Sequence, residues 1–215
     1  MDIYNSIVSF FQSGGAFMYP IVIVLALGLA IAIERYLYLS YSALRNRKAW
    51  NELMPLLRNG KLREAQAFVE RSGSSISRIL SYGLGSLAKA RRKDDVQMAM
   101  EEGLMEVIPK VEKRTHYLAT LANIATLLGL LGTIIGLIQA FTAVAQANPA
   151  EKADMLSASI SVAMNTTAFG LMVGIPLLLI HAVLQTKSTQ LIDNMEMATV
   201  KVVNLVGERP RTESA

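Results

Sequence analysis

Three long stretches of this chain contain no Asp, Glu, Lys or Arg: Ile3 to Ile33, Tyr117 to Ala150 and Met155 to Thr186. A hydrocarbon layer about 30 Å thick is crossed by roughly 20 mostly apolar residues in a helix, so each stretch is long enough to span it. The composition agrees, with 52% hydrophobic and 18% charged residues in 215. The fold class that follows is all-α: an integral membrane protein with three transmembrane helices, two of them extended into a cytoplasmic helical bundle.

Charge sets the expected threading. Arg35 to Arg114 holds 16 of the 21 Lys and Arg residues against 9 acidic ones. Basic residues flanking a span stay on the cytoplasmic side, which puts the N-terminus outside and the tail from Lys187 inside. The link between the second and third spans, with Glu151, Lys152 and Asp154, is short and slightly acidic, as suits a translocated loop. A cleaved signal peptide needs basic residues ahead of its apolar core, whereas Arg35 follows the core, so the first segment is expected to be a retained helix. The basic pI accompanies no nucleic-acid-binding motif, and topology accounts for the positive charge.

Seven segments follow. Residues 1–15 form a periplasmic amphipathic segment with apolar residues at Ile3, Ile7, Val8, Phe10 and Phe11, suited to the lipid surface. Transmembrane helix 1 occupies 16–38, closed by Glu34 and Arg35, which could pair. Residues 39–116 form a cytoplasmic helical segment whose short helices are separated by Pro55, Gly60 and the Ser72-Gly73-Ser74-Ser75 turn. Apolar residues recur at helical spacing at Leu62, Ala65, Phe68 and Val69, and at Ile76, Ile79, Leu80, Gly83, Leu84 and Leu87. Asp94 or Asp95 is expected to cap the next helix, whose stripe of Val96, Met100, Leu104, Val107 and Val111 leads directly into the second span, kinked at Pro109. Transmembrane helix 2 occupies 117–147, a periplasmic loop 148–154 and transmembrane helix 3 155–186. Residues 187–215 continue as a cytoplasmic helix with a Leu191, Met195, Ala198, Val202 and Leu205 face, then a disordered tail.

On a helical wheel, Thr120, Asn123, Thr126 and Thr133 of the second span share an arc of about 140°, while Thr167, Gly170, Gly174, His181 and Gln185 of the third share about 60°. Asn165 and Thr166 point elsewhere. The pairs Gly132–Gly136 and Gly170–Gly174 have the spacing that lets helices approach closely, and helix packing is their expected role. For each threonine taken singly, a hydroxyl bonded to its own helix's preceding carbonyl stands as the alternative to a pathway role. His181 reads as an interfacial residue, with a proton relay as the other reading.

Several chemistries are excluded. The chain has no cysteine, and His116 and His181 have no metal-ligand spacing, so no metal or cofactor is expected. No nucleophile–base pair or phosphate cradle suggests an enzyme. None of the three spans has a central charge, so an ion passing through needs a titrating group from another protein.

The run Ala122-Asn-Ile-Ala-Thr-Leu-Leu-Gly-Leu-Leu-Gly-Thr-Ile-Ile-Gly-Leu137, the run Ile160-Ser-Val-Ala-Met-Asn-Thr-Thr-Ala-Phe-Gly-Leu171 and the Glu34-Arg35 pair resemble the MotA/TolQ/ExbB proton-channel family. Three spans with one cytoplasmic insert are similar to ExbB or TolQ rather than to four-span MotA. The resemblance implies an inner-membrane homopentamer enclosing the single transmembrane helices of ExbD- or TolR-like partners, each with an aspartate that takes up and releases H+, and a TonB- or TolA-like protein beyond them. It implies that Thr133 and Thr167 line the ion-pathway lumen; Thr126 and Asn123, on the same arc of the second span as Thr133, are the candidates for secondary polar lining. Two positions depart from the common pattern: Val162 stands where many relatives have glutamate, and Thr126 where many have proline. The function so implied is the stator or channel subunit of a proton-motive-force-driven motor acting on a periplasmic or outer-membrane client. The alternative is a passive membrane scaffold that recruits partners through its cytoplasmic bundle.

Overall fold

The computed structural model describes residues 14–87, 93–146 and 148–207. The expected amphipathic segment over Met1 to Ser13 and the tail from Pro210 to Ala215 lie outside them. Among the described residues, regular structure is entirely helical: α1 Met18–Arg58, α2 Leu62–Arg71, α3 Ser75–Ser86, α4 Lys93–Glu112, α5 Thr115–Gln146 and α6 Lys152–Gly207. Helices α1, α5 and α6 contain the stretches long and apolar enough to cross a membrane. At about 1.5 Å per residue the 41 residues of α1 reach roughly 62 Å and the 56 of α6 roughly 84 Å. Both far exceed a hydrocarbon layer of about 30 Å, so both continue beyond their apolar windows.

The chain forms two compact units. The first combines residues up to Glu34 with Arg114–Val183. Its interior is built from Met18, Ile21, Leu118 and Leu177 together with the small residues Ala122, Ala125, Ala140 and Ala163. Small side chains bring helix backbones close, which is how packing is gained where lipid is as apolar as the protein. Gly28 shows the tolerance: a Cβ there would lie 2.7 Å from a Leu177 methyl. Only 28%, 22% and 28% of the three apolar windows is buried, so the greater part of each faces outward. In water such a surface would be a severe liability; in a membrane it meets lipid or neighbouring helices.

The second unit holds residues 35–113 and 184–215. Helix α1 does not break at Pro55. Pro55 lies in the final turn, where its missing N–H deprives only the Asn51 carbonyl, and the helix ends at Arg58, just before Gly60. Gly60 has a φ of +78°, and the Lys61 amide donates to Leu56 O at 3.0 Å, closing the helix in the left-handed turn that glycine favours. Ser74 caps α3 by accepting from the Ser77 amide at 3.2 Å. The apolar stripes face inward: Ile76, Ile79, Leu80 and Leu84 of α3, Val96, Met100, Leu104, Val107 and Val111 of α4, and Leu191, Met195, Ala198 and Val202 of α6 are all buried. Asp94 and Asp95 fall within the first turn of α4 rather than at its cap, where their charge complements the free amides.

Helix α4 does not run directly into the second span. Pro109 is accommodated inside α4, but the helix stops at Glu112 and Arg114 takes a φ of +66° before α5 begins. In an unbroken helix Val111 O would accept from the Thr115 amide. Here it accepts from the guanidinium of Arg35, which is 2% exposed, and from the Ser188 hydroxyl at 3.3 Å. The helices that continue unbroken beyond their spans are therefore the first and third. Glu34 and Arg35 do not pair with each other: Glu34 meets Arg114 at 3.6 Å, while Arg35 turns to Val111 and lies 4.8 Å from the Tyr38 ring centre.

Candidate functional site

The centre of the first unit is a seam between α5 and α6 where side chains are nearly absent. A Cβ on Gly170 would lie 2.7 Å from Ala125 O and 3.0 Å from Gly129 Cα, and one on Gly129 would be 3.2 Å from Gly170 Cα. No larger residue fits without moving backbone. One on Gly174 would fall 2.6 Å from the Thr126 hydroxyl and 3.0 Å from Ala122 O. On the same pair of helices Gly132 receives the Thr166 methyl, and Gly136 lies against Ala163.

This approach brings Thr133 and Thr167 together. Their hydroxyls hydrogen-bond across the seam. Thr167 also donates to Gly129 O at 2.9 Å, and Thr133 reaches Ala163 O at 3.2 Å and Gly129 O at 3.3 Å. Both side chains are half-buried. Each hydroxyl carries one proton and two lone pairs. Both protons find acceptors inside the unit, so what remains available outward is chiefly oxygen lone pairs. The singly weighed alternative is thus partly realised, since Thr133 contacts its own helix, but each threonine also bonds the other helix.

Thr126 bonds its own helix at Ala122 O, 3.1 Å away, and is exposed beside Gly174. Asn123 is exposed on α5 and is not drawn into the Thr133–Thr167 pair. Val162 is half-buried, with a methyl 3.3 Å from where a Gly15 Cβ would stand. His181 Nδ1 lies 3.0 Å from Thr115 O. A carbonyl only accepts, so Nδ1 carries the hydrogen and Nε2 is left as an acceptor in the neutral ring.

Thr166 plays a part that the wheel did not suggest. It is 2% exposed and donates to Gly14 O at 2.5 Å, with Val162 O at 3.0 Å as the acceptor in its own helix. It ties the turn that precedes α1 to α6. Gly15 has a φ of +72°, and the Gly14-Gly15 pair was the available signal of a tight turn meeting another helix.

Glycine-seamed, hydroxyl-bearing helices long and apolar enough to cross a bilayer define a multi-pass helical membrane protein. A profile of the MotA/TolQ/ExbB proton channel family matches residues 71–197, and the chain belongs to that family. It is 27% identical over 199 residues to a biopolymer transport protein ExbB homolog of Methanothermobacter thermautotrophicus, covering 92% of this chain and 69% of that one. A Synechocystis protein named as ExbB-like 3 is 26% identical over 78% of this chain and 80% of its own. The Tol-Pal system protein TolQ of Haemophilus influenzae is 36% identical over 78 residues, 36% of this chain and 34% of that one.

Proposed function

We propose that this chain is the stator and channel subunit of a proton-motive-force-driven motor in the bacterial inner membrane, with its N-terminus periplasmic and its C-terminus cytoplasmic. It works as a homopentamer around single-span ExbD- or TolR-like partners whose transmembrane aspartate binds and releases H+, and a TonB- or TolA-like protein carries the force to the client. The observation that supports this most is the Thr133–Thr167 pair: two half-buried hydroxyls joined across a seam in spans that have no carboxylate of their own.

The pair distinguishes the two states of a partner acid. A protonated carboxyl donates a hydrogen bond, and the threonine lone pairs accept it with no change in the seam. An ionised carboxylate only accepts, so a hydroxyl must turn from Gly129 O or Ala163 O to meet it. A typical hydrogen bond is worth about 0.5–1.5 kcal/mol net, which makes that exchange small and reversible. Moving one charge through 100 mV supplies about 2.3 kcal/mol, comparable to the roughly 2.5–3.5 kcal/mol that insertion scales assign to a buried Asp. Hydroxyls that lower the second figure bring it within reach of the first.

Replacing Thr133 or Thr167 by Val is expected to abolish energised function in cells that depend on this protein while the mass of the purified assembly stays unchanged. Wild-type function in both variants would refute the role. A function insensitive to a protonophore would favour a passive scaffold.

A further inference from the structure

The second unit contains a cavity of about 350 Å³ between α1, Ile76 of α3 and the part of α6 that belongs to this unit. Ile76, Leu191, Met195 and Trp50 give it an apolar wall. Its polar lining consists of Arg47, Lys201, Asn46 and Asn194, with no carboxylate among them. Asn46 is 6% exposed and its Oδ1 accepts from the Ile76 amide at 3.2 Å, fixing α3 against α1 at the cavity's edge. Two cations with no carboxylate beside an apolar wall call for an occupant that is negative and carries an apolar body.

We propose that this cavity binds a small amphipathic organic anion, a carboxylate on an aromatic or aliphatic group. Its volume suits such a molecule, since small-ligand pockets begin at about 300 Å³ and combine apolar walls with a few placed polar groups. A peptide partner would need a continuous face burying on the order of 1,000 Å² or more. Bilayer lipid is the poorer source. Arg47 lies roughly 18 Å further along α1 than Arg35, where the apolar window closes, whereas the headgroup layer on one side is roughly 5–8 Å deep. Another cavity of the same unit, lined by Arg45, Lys48 and Arg71, also contains Glu52 and Glu64, and so has less preference for an anion. A ligand held between Trp50 of α1 and Met195 of α6 would bridge the helices that continue from the first and third spans. This site is independent of the ion-pathway reading.

Trp50 is the chain's one tryptophan and therefore a built-in reporter. The full chain, reconstituted in phosphatidylcholine vesicles, would be titrated with 3-phenylpropionate and, separately, with 3-phenylpropanol while Trp50 emission is recorded. The expected result is a saturable change with the acid, and binding of the alcohol weaker by roughly tenfold or more, as for loss of hydrogen bonds to charged groups. Arg47→Gln and Lys201→Gln, both at exposed positions, should each weaken the acid roughly threefold to tenfold and leave the alcohol unchanged. Absence of a saturable change, equal binding of acid and alcohol, or indifference to both substitutions would overturn the proposal. So would loss of acid binding in vesicles containing phosphatidylglycerol, which would assign the cavity to a lipid headgroup.

Discussion

Two backbone carbonyls, one in each unit, accept side-chain hydrogen bonds from another helix, and they do so by different chemistry. In the first unit Gly129 O accepts from the hydroxyl of Thr167 at 2.9 Å. In the second, Val111 O accepts from the Arg35 guanidinium and the Ser188 hydroxyl. The first carbonyl lies where glycines have removed the side chains; the second is reached by a long side chain at a helix break. The contrast follows from the solvent. An apolar unit gains cohesion by close backbone approach and can accommodate hydroxyls cheaply, whereas a unit rich in charge can extend a guanidinium across a gap to a carbonyl that a helix break has freed. The first unit is therefore intolerant of added volume, and the second of lost donors.

The largest stability effect should come from Arg35→Ala. It leaves Val111 O with the Ser188 hydroxyl alone and removes a buried side chain, at a cost of about 1.5–3 kcal/mol for the lost hydrogen bond from a charged group and more for lost packing. Hydrogen exchange should report the loosening across α4 and the adjoining stretch of α1; uniform loosening of α5 would erase the contrast. Gly170→Ala should destabilise by about 1–3 kcal/mol, because its new methyl meets the Ala125 carbonyl and not a flexible side chain. Thermal unfolding in detergent measures it, and an unchanged midpoint would show the seam to be looser than described. Ser74→Ala, which removes the α3 cap, should cost about 1 kcal/mol by the same measurement.

A smaller, pH-dependent effect belongs to the second unit alone. Hydrogen bonds from Lys110, then from Tyr82, with Arg78 adding its charge, hold the Glu106 carboxyl at about 2, below its ordinary 4.5. A carboxyl favoured in its ionised form when folded contributes stability that is complete above its unfolded value and is lost as pH falls through the folded one. Acidification from pH 5 towards 2 should thus weaken the α3–α4 contact, and Glu106→Gln should flatten that dependence. A variant whose acid sensitivity matches wild type would remove Glu106 from the account. Smallest of all, Gly85→Ala has open space around it and should be neutral or stabilising by up to about 1 kcal/mol, the opposite sign to Gly170→Ala.

Much of this architecture was readable in the sequence because hydropathy and helical spacing depend on one chain segment at a time. The three spans and the buried faces of α3, α4 and α6 needed nothing further. What failed required knowledge of a neighbour. Pro55 looks like a helix breaker until its place in the last turn is known. The break at Arg114 leaves no local mark; Val111 O is completed from residues far away in sequence. Glu34 and Arg35 are adjacent yet serve different partners, which adjacency conceals. For the candidate site, the wheel put Thr133 among polar residues and Thr167 among glycines. It could not supply the register between α5 and α6 that joins their hydroxyls, nor the contact between Thr166 and Gly14.

Proton uptake into vesicles holding this chain together with the proposed single-span partner, driven by an imposed membrane potential, tests the central claim most directly. Replacing both Thr133 and Thr167 by Ser keeps the hydroxyls and should preserve flux near the wild-type rate. Replacing both by Val keeps the shape and should lower it by roughly tenfold or more. Equal flux through the serine and valine pairs would contradict the assignment of these hydroxyls to the ion path.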